Sequence, residues 1–255
     1  MRRAPGQRVA LLGLGEAGAA IAADLVAAGA EVSGWDPARP SVAGVRLAGS
    51  APEAVAEADV VLSLNAQSAA VSAAESVAAA LPRGSLYADL NTTSATVKRA
   101  VAEVVPVPFA DVALLAPVPG NGLATPSFAS GPGAERYAEL MTPLGARVEI
   151  VGAEPGDAAA RKLLRSVFTK GLAAAVVESL AAARAAGCED WLRADIAQTL
   201  READDALLER LERGSVEHAR RRVDEMESAS ALLDELGVAP HVARASVAVL
   251  RDLAE

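Results

Sequence analysis

The chain is predicted to be a doubly wound α/β protein with a mostly parallel sheet, followed by an all-α C-terminal domain. Three observations predict it: strand-like and helix-like segments alternate as far as Val151, a glycine-rich turn joins the first strand to the first helix, and only helical periodicity remains behind Gly152-Ala153-Glu154-Pro155-Gly156.

Taken in order, apolar, β-branched runs place strands at Arg8–Gly13, Glu31–Trp35, Val60–Leu64, Ser85–Asp89, Val107–Asp111 and Arg147–Val151. Helical patterns fall between them, near Glu16–Ala28, Pro52–Ala58, Gln67–Leu81, Ser94–Val105 and Gly133–Met141. Asp157 can cap a further helix, and no Gly or Pro except Gly171 interrupts the run from there to Ala186. Thirty helical residues span about 45 Å, so this segment reads as a rod joining two domains. Helical stretches near Glu189–Arg213, Ser215–Leu236 and Pro240–Leu253 complete the chain. The expected division is therefore residues 1–153 and residues 154–255.

The first turn carries the most specific signal. Gly13-Leu14-Gly15-Glu16-Ala17-Gly18 lies between strand and helix, and Asp36 follows at the end of the second strand. Gly13 permits the tight turn, Gly15 lets the backbone approach a pyrophosphate, and Gly18 lets helix and strand pack closely. The free N–H groups of the helix start then face the anion. This is the pattern of a nicotinamide-dinucleotide site. A methyltransferase shares the glycine-rich turn and the second-strand acid, but the one-residue spacing of Gly13 and Gly15 favours the nicotinamide class. A carboxylate at Asp36 accepts from ribose hydroxyls and repels a 2′-phosphate, which places NAD ahead of NADP, whereas Arg39 could pair with that phosphate.

Composition excludes several other classes. The formal charge of −9 disfavours nucleic-acid binding, and Arg220-Arg221-Arg222 has Glu217, Asp224, Glu225 and Glu227 at helical spacing, as a solvated face does. No uninterrupted apolar stretch approaches the roughly 20 residues that span a bilayer, and Met1-Arg2-Arg3 leads directly to Pro5-Gly6 rather than to a cleavable apolar region. Cys188 is alone, which fits a reducing compartment, and His218 and His241 lie too far apart in sequence for a recognisable metal motif. A cytoplasmic location without membrane or nucleic-acid partners is expected.

In an open α/β sheet the ligand lies beyond the carboxyl ends of the strands. The loops there hold Asn65-Ala66-Gln67, Asn91-Thr92-Thr93-Ser94 and Pro117-Val118-Pro119-Gly120-Asn121-Gly122. Asn65 and Asn91 are candidate cofactor contacts, and Asn91, Thr92, Gly120 and Asn121 candidate substrate contacts. Thr93 or Ser94 is also suited to capping the following helix. On the long helix Lys162, Ser166 and Lys170 recur every four residues and share one face, which spacing alone reads as a solvated stripe. Seven aromatic residues leave little for stacking on a large ring, although Trp191 or Tyr137 could line a pocket.

These blocks, in this order, resemble the β-hydroxyacid dehydrogenase and 6-phosphogluconate dehydrogenase superfamily, in its branch of 6-phosphogluconate-dehydrogenase-like NAD(P)-dependent oxidoreductases. The likeness rests on the Gly13–Gly18 turn, Asp89-Leu90-Asn91-Thr92-Thr93, the segment Phe109 to Gly133, and Gly156 to Gly171. It implies a Rossmann domain, a helical domain that often builds a dimer, and Lys162 as general acid/base for hydride transfer between NAD or NADP and a small hydroxyacid or ketoacid. Ser166 and Lys170 follow as substrate contacts on the same face. The chain departs from the family where Pro119-Gly120-Asn121 replaces a Ser-Gly-Gly substrate loop and Ser166 an Asn, which bears on the substrate. Imine reductases resemble the same fold but typically replace the lysine, so Lys162 favours a C–O over a C=N substrate. A nicotinamide-binding protein without catalysis is the alternative from another class.

Overall fold

The computed structural model describes residues 6–38 and 41–255 of the 255-residue chain; Met1-Arg2-Arg3 and Arg39 lie outside them. By contact density the chain divides into one unit up to Arg165 and a second from Ser166 to Glu255.

The first unit is a single eight-stranded sheet. Its strands are β1 (Arg8–Leu12), β2 (Glu31–Trp35), β3 (Arg46–Leu47), β4 (Val60–Ser63), β5 (Leu86–Asp89), β6 (Phe109–Leu114), β7 (Pro126–Ser130) and β8 (Arg147–Gly152). Their order is β3-β2-β1-β4-β5-β6-β7-β8, and every neighbouring pair is parallel except β6 with β7. Helices α1 (Glu16–Ala27), α2 (Ala51–Val55), α3 (Ala70–Val77), α4 (Ala95–Val104) and α5 (Ala134–Met141) connect them.

Alternation along the strands builds two cores. Val9 and Leu11 of β1 join Ile21 and Leu25 of α1 and Met141 of α5 on one face. Ala10 and Leu12 join Val55, Val77 and Val101 from α2, α3 and α4 on the other. Burial of each such aliphatic side chain contributes about 1.5–3 kcal/mol, an upper figure because unfolded chains are partly collapsed. Tyr137 belongs to this core, at 2% exposure, and so is not a pocket-lining residue.

Several elements differ from the sequence reading, strand β3 among them. Strand β6 runs Phe109–Leu114 rather than Val107–Asp111 because Pro108 has no N–H for the ladder, and Asp111 therefore lies inside the strand. Strand β7 reads as loop in sequence because it opens on Pro126 and alternates small polar residues. Its Ser127 and Ala129 are buried only by pairing with β6 and β8. The stretch Glu189–Arg213 is not one helix: it breaks after Arg201, and Asp204 caps the next helix by accepting from the Leu207 N–H at 2.9 Å.

The rod is one continuous helix, α6 (Asp157–Ala185). The unit boundary falls inside it, after Arg165, because its first turns are bound to the sheet. The second unit continues with α7 (Glu189–Arg201), α8 (Asp205–Glu217), α9 (Ala219–Glu235) and α10 (His241–Ala254). Within that unit Glu178 accepts from the N–H groups of Val242 and Ala243, at 2.8 and 2.9 Å, and so caps α10 from α6. Among the described residues α6 is long and apolar enough, by length and composition alone, to cross a membrane. That corrects the expectation drawn from uninterrupted apolar runs. Alanines are its commonest residue, and the capping carboxylate at Glu178 lies in its C-terminal half.

Candidate active site

The chain winds outward in both directions from the gap between β1 and β4, and their carboxyl ends meet there. Gly13 occupies that point with φ +102°, and a Cβ on it would stand 2.2 Å from the Leu64 carbonyl oxygen. A Cβ on Gly18 would stand 2.1 Å from the carbonyl oxygen of Gly13, so the third glycine is what lets α1 close onto the turn. Around Gly15 the space is open: a Cβ there meets no atom within 4 Å, and no side chain caps the start of α1. Glu16 and Ala17 begin the helix, and Leu14 turns its side chain into the core. An open, uncapped helix start at this point fits a pyrophosphate.

Asp36 stands beside this turn. Its carboxylate accepts from the Leu14 N–H at 2.7 Å and from the Ala38 N–H at 2.8 Å. The Leu14 amide is thus committed to Asp36, and the carboxylate's remaining lone pairs are those that could meet a ribose. A cavity of about 300 Å³ between Trp35, Asp36, Leu47 and Gly49 adjoins it. The residues present fit a dinucleotide.

The rim of β4 and β5 is braced by Asn91. Its amide donates to Asp89 Oδ1 at 2.6 Å and to Ser63 Oγ at 3.2 Å, and its carbonyl oxygen accepts from the Asn65 N–H. The Asn65 side chain donates to Ser63 Oγ at 2.8 Å. Both asparagines spend these groups inside the protein, holding two loops together, and the exposed hydroxyl of Thr92 stands above them. Ser94 caps α4 by accepting from the Val97 N–H at 3.3 Å.

Lys162 reaches this rim from α6. Its ammonium donates to Thr92 Oγ1 at 2.7 Å. Burial pushes its proton affinity below the ordinary lysine value, the charge of Lys98 acts in the same sense, and Asp111 opposes both. Two turns of α6 fix the amine's place. The Ala158 N–H donates to Ser130 Oγ at 2.9 Å and the Ala159 N–H to Asp111 Oδ2 at 2.9 Å. Strand side chains thereby satisfy amides that a helix start leaves without partners. Arg165 adds a bond to the Leu115 carbonyl oxygen at 3.1 Å.

The segment Pro117–Gly122 is tied down separately. Asp24 of α1 accepts from the Leu123 N–H at 2.8 Å, and the Asn121 amide donates to the Pro117 carbonyl oxygen at 2.8 Å. Gly120 has φ +85° and faces open space. Ser166 and Lys170 belong to the second unit, one and two helical turns beyond Lys162 on α6.

Beneath Thr92 lies a cluster that sequence reasoning missed. Lys98 of α4 is fully buried, with its amine 3.0 Å from Asp111 Oδ1, 3.5 Å from Asp89 Oδ2 and 2.7 Å from the Asp89 carbonyl oxygen. Asp89 and Asp111 are likewise buried, and desolvation raises the proton affinity of Asp89 against the pull of Lys98. The signal available was two acids in otherwise apolar strands, which demand a buried cation.

The glycine turn, the acid at the end of β2 and the sheet order define a nicotinamide-dinucleotide-binding α/β protein. Residues 8–122 match the family described as the NAD binding domain of 6-phosphogluconate dehydrogenase, and residues 183–253 match a domain of unknown function, DUF1932. Within the class, residues 8–122 are similar to the 6-phosphogluconate dehydrogenase group. The chain is 43% identical over 100 residues to a probable 3-hydroxyisobutyrate dehydrogenase of Mycobacterium tuberculosis, a match covering 36% of this chain and 34% of that protein. The chain thus spans about a third of the length of these curated relatives. Among solved structures it is similar to the conserved protein MTH1747, described as structurally similar to 3-hydroxyacid dehydrogenases, at 29% identity and a TM-score of 0.65 over 96% of each chain. An imine reductase variant from Myxococcus stipitatus, solved with NAD+, shares the fold at 20% identity and a TM-score of 0.82, covering 97% of this chain and 93% of that one.

Proposed function

We propose that the protein is an NAD(P)-dependent oxidoreductase that interconverts a CH–OH group and a carbonyl in a small hydroxyacid or ketoacid, with Lys162 as general acid/base. The observation that carries this reading is the partly desolvated Lys162 amine bonded to Thr92 at the carboxyl rim of β5. A bound nicotinamide supplies or accepts the hydride. Lys162 delivers a proton to the carbonyl oxygen in reduction and removes it in oxidation, and a lowered proton affinity brings that exchange closer to neutral pH. Thr92 fixes the amine and offers its own hydroxyl to the substrate. Asn91 and Asn65 hold Thr92 in place, while Gly120 and Asn121 are proposed to meet the rest of the substrate; Ser166 and Lys170 remain candidate contacts on the second unit. The name of the mycobacterial relative supports a β-hydroxyacid over other alcohols.

A screen of hydroxyacids, ketoacids and cyclic imines with both cofactors, followed by absorbance of the reduced nicotinamide, tests the reading. Turnover of a hydroxyacid or ketoacid is expected, and turnover of imines alone would replace it with the C=N reading. Asp36 supports NAD over NADP. Fluorescence titration is expected to give tighter NADH binding, and tenfold tighter NADPH would reverse the preference.

A cytoplasmic homodimer is part of the same proposal. Leu164, Val167, Phe168 and Val177 of α6 are each about two-thirds exposed or more within one chain. Exposed apolar side chains on this scale suit a partner surface. Size-exclusion chromatography with light scattering should give twice the chain mass, and Phe168→Asp should lower it; a wild-type monomer at micromolar concentration would contradict the dimer.

A further inference from the structure

The carboxylate of Asp111 has two jobs that conflict. It anchors α6 through the Ala159 N–H, three residues before Lys162, and its negative charge attracts the Lys162 ammonium. Alone, such an anchor would bias the amine toward its protonated form, which works against a group that must both give and take a proton. Lys98 stands 3.0 Å from the other oxygen of the same carboxylate.

We propose that Lys98, clamped between Asp89 and Asp111, is a positioning residue for Lys162: it cancels the charge of the anchoring carboxylate, so that the helix start is held without trapping the amine as a fixed ion pair. This rests on the reading of Lys162 as the acid/base group. Two further observations support it. Lys98 is as buried as any apolar residue of the core, so its cost of desolvation is recovered only by serving both acids. The cluster also reaches the site through a second path, because Asp89 accepts from both the backbone and side-chain amides of Asn91, which precedes Thr92. The charged groups facing Lys162 are then Lys98 from α4 and Asp111 from β6, with Asp89 of β5 behind them and Arg161 and Arg165 on its own helix.

The chain contains three lysines, Lys98, Lys162 and Lys170, so lysine labelled with ¹³C at Cε gives three resonances that single substitutions assign. Titration of the Lys162 resonance in the full chain reads its protonation without any turnover. Lys98→Met should move that titration to higher pH and Asp111→Asn to lower pH, each by roughly half a pH unit or more. A merely structural role would not produce opposite signs. Should Lys98→Met fail to fold, the downward shift in Asp111→Asn decides alone. Titration unchanged in the folded variants, or displaced the same way in both, overturns the proposal. If the opposite shifts appear while Lys162→Ala retains turnover, the charge coupling stands and the catalytic reading of Lys162 falls.

Discussion

Lys162→Ala lowers turnover by about 10²–10⁴-fold, the range a positioned acid/base group contributes, while NADH affinity stays within about twofold. The separation of effects follows from position. Lys162 meets Thr92 at the rim of β5, whereas the turn proposed to cradle the dinucleotide is built from Gly13, Gly15, Gly18 and Asp36 at the ends of β1 and β2. The substitution removes an amine that is only half-buried, so the chain should remain folded. Steady-state kinetics beside a fluorescence titration of NADH check the result. Turnover within threefold of wild type would remove Lys162 from the chemistry and leave the non-catalytic reading in its place.

Gly13→Ala has the opposite profile. A methyl group there stands 2.2 Å from the Leu64 carbonyl oxygen, a backbone atom that can move only with β4, and the residue would hold φ +102°. Backbone strain of this kind costs about 1–3 kcal/mol, and relief of the overlap opens the junction of β1 with β4 at a comparable further cost. Calorimetry should show a melting temperature lower by several degrees, and NADH binding weaker by more than tenfold, because the turn that aims the start of α1 is displaced. Gly15→Ala is the informative companion. Its Cβ meets nothing in the protein, so stability should hold while affinity falls. Equal melting temperature and equal affinity in Gly13→Ala would sink the assignment of this turn as the cradle.

The elements that local sequence determines came through with their order intact. Strands β1, β2, β4 and β5 are continuous apolar runs bounded by turn residues, and the rod shows itself by the lack of Gly and Pro. The glycine turn is legible because Gly13 and Gly18 each answer a constraint from a neighbour close in sequence or one strand away, and Gly15 leaves the helix start open. Strand β7 was not legible. Pro126 and three small polar or alanine residues have no strand signature until β6 and β8 flank them.

The site divides in the same way. Gly13, Gly15, Gly18 and Asp36 could be named as candidates from the chain alone, because that pattern depends on residue type at a fixed spacing, whereas Lys162 entered only through the family resemblance. What Asn91 and Asn65 do could not be. The sequence offers two amides at a cleft, and the fold turns them toward Ser63, Asp89 and each other. The Lys98, Asp89 and Asp111 cluster draws its members from α4, β5 and β6, and nothing in any one segment says that the three charges meet.

Sequence by itself therefore determined the order of the elements, the dinucleotide turn and the kind of chemistry a lysine at position 162 could perform. Tertiary structure decided which polar groups brace the loops and what charge lies under the amine. The physical reason is range: propensity, periodicity and turn geometry act over a few residues, whereas the balance of buried charges is set by groups on three separate elements, α4, β5 and β6, that only the folded sheet brings within 3 to 4 Å.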